Sequence, residues 1–177
     1  MNSQDRYVTE YAGDVVELLT DQHQELGDLM SRVLSVSGAE RREVFDRVRE
    51  TLARHEAAEE AVLRPLTRAT PGGDRQAASR TAEEKSAEGL LGVFEGYDVD
   101  SPAFEVSFQE LQEAVRRHAE EEETEEFPLL RRTHDAATLR EARVAVERVE
   151  AGGPAGAPGH HPFGVLLERA RSLFSRS

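Results

Sequence analysis

Residues 55–66 read HEAAEEAVLRPL and residues 118–129 read HAEEEETEEFPL. Each stretch places a Glu four residues after a His, a Pro six residues beyond that Glu, and then a Leu. His55, Glu59, Pro65 and Leu66 therefore recur as His118, Glu122, Pro128 and Leu129. Ala, Leu, Glu and Arg dominate the chain and β-branched runs are almost absent, so the local preference is helical. On a helix, residues i and i+4 share a face, with Cβ atoms about 5–6 Å apart. Two His-x-x-x-Glu pairs on two helices thus read as one helical hairpin used twice.

Gly and Pro punctuate the chain near Ser37-Gly38, Thr70-Pro71-Gly72-Gly73, Asp100-Ser101-Pro102 and Ala151-Gly152-Gly153-Pro154. The segments between them, 14–36, 39–69, 74–97, 102–132 and 135–150, have helix lengths. Short connections between long helices favour antiparallel neighbours, which predicts an all-α fold. The expected architecture is an up-and-down antiparallel four-helix bundle over residues 1–133, with an additional C-terminal helix over 134–151. That fifth helix would pack on the bundle through Leu139, Ala142, Val146 and Val149. Residues 152–177 read as a Gly/Pro linker and a short amphipathic segment, Phe163 to Phe174. This segment could dock on its own chain, join a homo-oligomer or bind a partner.

The apolar stripes contain residues that do not belong in a core. His23 sits among Val15, Leu19, Leu26, Met30 and Val33; His55 and Glu59 fall between Leu52 and the pair Val62 and Leu66. His118 and Glu122 follow Phe104, Phe108, Leu111 and Val115 and precede Leu129. Burying carboxylates is costly unless something pairs with them. On the third segment, TAEEKSAEGLLGVFE (81–95), Glu84 is in phase with Ala87, Leu91 and Phe94, and the repeat sets it opposite His23. Glu88, one turn on, is the alternative for that place. Six donors from four helices are too many for one tetrahedral zinc and suit two octahedral ions with open positions. Imidazole and carboxylate together suit iron or manganese. The rest of the acidic run Glu120–Glu126 reads as a solvated face, His134, His160 and His161 read as solvent or docking residues, and Gly89 and Gly92 as places for close helix approach.

Composition excludes other classes. The 22 Lys and Arg against 35 Asp and Glu give a net charge of -13, which argues against nucleic acid and anionic membrane surfaces as partners. The absence of cysteine removes disulfides, thiolate zinc sites, iron–sulfur clusters and thiol nucleophiles. Phosphate loops, dinucleotide-binding glycines, nucleophile elbows and the HExxH zinc motif are missing. With no stretch of 18 apolar residues and no signal-peptide pattern in MNSQDRYVTEYAGD, a cytoplasmic location is expected.

DQHQEL, RHEAAEEAVLRPL and RHAEEEETEEFPLL together resemble the bacterial hemerythrin-like, HHE cation-binding proteins over roughly residues 12–133. The resemblance implies a non-haem di-iron centre, two iron ions with an oxo or hydroxo bridge, bound by His23, His55, Glu59, His118 and Glu122, the glutamates bridging. It implies binding of dioxygen, nitric oxide or peroxide, in redox or iron sensing or oxidative-stress defence. The family's third-helix His has no counterpart here; Glu84 falls in its slot, giving three His and three Glu and a set nearer to the di-iron carboxylate proteins. Two further readings stay open: an enzyme with catalase, peroxidase or ferroxidase activity, and a metal-free interaction bundle whose site has decayed.

Overall fold

The computed structural model describes residues 11–94 and 96–152, apart from the side chains of residues 88 and 152. The Glu88 side chain, His160, His161 and the amphipathic segment 163–174 lie outside what is described. Five helices and no strand occur among the described residues. Helix α1 runs Val15–Ser35 behind Asp14, whose side chain accepts from the Glu17 amide at 2.9 Å. Helix α2 runs Gly38–Ala58, passes through a π-helical turn at Glu59–Leu63 and ends as Arg64–Arg68. Helix α3 is Gly73–Gly92. Its start crosses so close to α2 that a Cβ on Gly73 would sit 1.8 Å from the Thr67 carbonyl oxygen.

Helix α4 begins at Pro102, where a missing N–H costs nothing, with Ser101 accepting from the Phe104 amide. It runs Pro102–Glu121, makes a second π-helical turn at Glu122–Glu126 and ends as Phe127–Thr133. Helix α5 spans Ala136–Gly152. Four helices form the up-and-down bundle, and α5 lies against α1 and α2 with Leu139, Ala142 and Val146 buried and Val149 half-buried.

The repeated proline explains the repeated π turn. In α register, Pro65 would leave the Ala61 carbonyl without a donor and press its ring against it. The chain instead takes in one extra residue. The Arg64 amide then bonds the Glu59 carbonyl, and the Phe127 amide the Glu122 carbonyl, both five residues back. This corrects the expected seam. Val62, Leu66 and Leu129 are only half-buried, and the core face passes to Leu63, Arg64 and Thr67 on α2 and to Glu126, Phe127 and Leu130 on α4. Helix α3 also stops short of residue 97, because the chain loosens at Val93 and Phe94 and turns at Gly96, whose φ is +95°.

Two apolar clusters result. Leu26, Met30, Leu52, Leu91 and the rings of Phe45, Phe94, Phe104 and Phe108 fill one end, the rings meeting mostly edge to face. Val15, Leu19, Ala58, Leu63, Phe127, Leu130 and α5 fill the other. Burial of each large apolar side chain stabilises by about 1.5–3 kcal/mol. A layer of buried imidazoles and carboxylates lies at the middle of the bundle.

Candidate metal centre

Three imidazoles reach this layer, each held from behind. His23 on α1 donates through Nδ1 to Glu123 at 2.8 Å, and His118 on α4 donates through Nδ1 to Glu83 at 3.0 Å. His55 on α2 contacts Gln22 Oε1 at 3.0 Å, while the Gln22 amide group donates to the Glu150 carboxylate at 2.9 Å. Since Gln22 Oε1 can only accept, the His55 proton belongs on Nδ1. In all three rings Nε2 is left to face the centre. An outer partner on Nδ1 is how proteins orient metal-binding histidines. Burial lowers the His55 pKa and keeps that ring neutral. For His118 burial is outweighed by Glu122 and its neighbours, and the pKa is pushed up to about 11; His23 is raised by Glu122 in the same way.

Glu59 and Glu122 are fully buried between the rings. His55 Nε2 lies 3.3 Å from Glu59 Oε1 and His23 Nε2 lies 3.3 Å from Glu122 Oε2. On the other side, His118 Nε2 lies 3.4 Å from Glu122 Oε1 and 3.9 Å from Glu59 Oε2. Each carboxylate therefore turns one oxygen to the pair His23 and His55 and the other to His118. Burial would raise the Glu122 pKa, but Arg64 and His118 hold it well below the usual carboxylate range. Glu56, also buried, is pushed well above that range by its desolvation.

Two sets of ligand atoms lie within 4.8 Å of one another: His23, His55, Glu59 and Glu122, and Glu56, Glu59, Glu84 and His118. Glu59 belongs to both. His23 Nε2, His118 Nε2, Glu59 Oε1 and Glu122 Oε2 are buried without a hydrogen-bond partner. Burying such atoms unsatisfied costs about 1–3 kcal/mol each, more when charged. Buried polar atoms that converge at this cost are what a cation would relieve, and the donors fit one.

A model of the hemerythrin HHE cation binding domain matches residues 14–130. The chain belongs to this family. Comparisons with curated proteins and with solved structures find no match. The polar layer has an approach from outside: a cavity of about 620 Å³ between α1 and α4 reaches His23, His55 and His118 past Gly27, Ser31 and Ala119.

The structure brings His23, His55, Glu59, Glu84, His118 and Glu122 to this one layer. Glu84, however, is engaged by Arg64, its Oε1 accepting at 2.8 Å. His134 stays outside, with Nε2 3.2 Å from the Leu66 carbonyl oxygen. Gly89 and Gly92 are exposed and a Cβ on either would meet nothing within 4 Å, so they do not serve close approach. Within the acidic run the expectation that Glu122 alone faces inward is corrected: Glu126 is fully buried too, carried inward by the π turn. Sequence reasoning also missed Gln22, Glu83 and Glu123 behind the rings, and above all Arg64. The signal for Arg64 was present in the repeat, which pairs it with Phe127.

Proposed function

We propose that the bundle holds iron at this centre, with two ions as the full complement, and presents it to dioxygen, nitric oxide or peroxide. His23, His55, Glu59 and Glu122 would hold the first ion, and Glu56, Glu84 and His118, together with Glu59 and Glu122, would serve the second. The observation that carries this reading is the set of three Nδ1-anchored imidazoles whose Nε2 atoms converge on Glu59 and Glu122, with one oxygen of each carboxylate, beside His23 and His55, left unpartnered. Iron there would supply open coordination positions and one-electron chemistry. The chain supplies the rest: Gln22, Glu83 and Glu123 fix the ring planes, two apolar clusters close the layer above and below, and the α1–α4 cavity admits a small ligand.

Metal analysis of protein produced with ample iron, with optical spectra before and after reduction and exposure to dioxygen or nitric oxide, tests the reading. The expected result is iron bound and a spectrum that changes with each gas. Less than about half an equivalent of any transition metal per chain would sink it. The cavity favours one second reading, turnover of peroxide, because it opens directly on the imidazoles. Oxygen evolution from peroxide separates turnover from binding.

A further inference from the structure

The repeat that builds the centre breaks at three buried positions. Leu63, Arg64 and Thr67 on α2 correspond to Glu126, Phe127 and Leu130 on α4. All six are buried, and in each pair one half is polar where the other is apolar. The polar three find one another. Arg64 Nη1 donates to both oxygens of Glu126 at 2.7 Å, and Thr67 Oγ1 donates to Glu126 as well. Phe127, in the place of Arg64, stacks on His23 with ring centroids 5.8 Å apart.

The other end of the guanidinium enters the centre. Nη2 lies 3.3 Å from Glu59 Oε2 and 2.7 Å from Glu84 Oε1, and it also donates to Glu122 Oε1. The oxygens it takes are the far ones of Glu59 and Glu122. Those left unpartnered, Glu59 Oε1 and Glu122 Oε2, face His23 and His55. A carboxylate bridging two cations gives one oxygen to each. Here each far oxygen, together with Glu84, already meets a positive charge of the protein's own.

We propose that Arg64 is a resident cation in the second half of the centre, so that one metal ion binds tightly at His23, His55, Glu59 and Glu122 and a second enters only by displacing the guanidinium. This rests on the metal reading above. It makes a centre with two donor groups unequal, and it lets the carboxylate layer stay paired without its full complement of metal.

Cobalt(II) titration of chelator-stripped protein tests it, followed optically and checked by metal analysis after desalting. The parent is expected to retain one equivalent, with the second bound at least ~100-fold more weakly because it must enter against a fixed positive charge. The double variant Arg64→Phe, Glu126→Leu carries apolar residues at both positions, removes the Arg64–Glu126 pair together and leaves Glu59, Glu84 and Glu122 to be neutralised by metal alone. It is expected to retain two equivalents of comparable affinity. Two equal equivalents in the parent would overturn the proposal, a result that stands even if the variant does not fold. A folded variant that still holds one equivalent would overturn it too. If neither chain binds cobalt, the metal reading itself fails, and this proposal with it.

Discussion

His118 shows how a single ring ties charge to metal. Its pKa in the metal-free protein is pushed up to about 11, against an ordinary value of 6.5, because Glu122 and Glu59 outweigh its burial. The folded state thus keeps a proton that the unfolded chain gives up. Stability from this group is fully present below about pH 6.5 and is lost as pH rises towards about 11. An ion bound at Nε2 would take that proton's place. Metal-free protein is therefore expected to lose melting temperature steadily across this range, while metal-loaded protein loses much less; melting curves of both forms at a series of pH values check this. The His-Glu pairs were legible because they interrupt apolar stripes. Gln22, Glu83 and Glu123 were not, since each is a polar residue at an ordinary surface position whose ring partner comes from another turn or helix. Arg64 was hidden by its neighbours: Pro65 and Leu66 matched the repeat, and an Arg beside them passes for a solvated one.

At the scale of elements, the π turns decide which residues after each glutamate point inward. One inserted residue moves Glu126 to the interior and Leu129 to its edge. Deleting Thr124, which is exposed within the second π turn, removes the insertion and leaves the downstream turns in place. Pro128 then confronts a carbonyl four residues back, at a cost of about 3 kcal/mol, or roughly 6–12 °C in melting temperature for a chain of this size. Adding Pro128→Ala to the deletion is expected to recover most of that loss; thermal denaturation of the two variants tests the ordering. Periodicity made the helices readable to within a residue or two, except at the end of α3. It assumes a constant 3.6 residues per turn, however, and cannot register a turn that takes one more. Val62, Leu66 and Leu129 all lie within or beyond one of the two π turns.

For the molecule as a whole, the polar layer separates two apolar clusters that would otherwise merge, so its occupancy bears on the entire fold. An ion at about 100 times its dissociation constant adds about 2.7 kcal/mol. Chelation is expected to lower the melting temperature of the loaded parent by roughly 5–10 °C. The pair His118→Ala, Glu122→Ala should melt lower than the loaded parent and ignore the chelator. Equal sensitivity of both proteins would place the ion elsewhere. Arg64, in bonds to Glu84 and Glu126, is expected to limit the loss on stripping.

Glu150 sits near the end of α5, grips the amide of Gln22, and Gln22 in turn grips the ring of His55. Mechanically this is a linkage of two joints between the last described turn of the chain and one imidazole of the centre. Displacing that final turn is expected to tilt the His55 ring, the movement being passed on through these two hydrogen bonds.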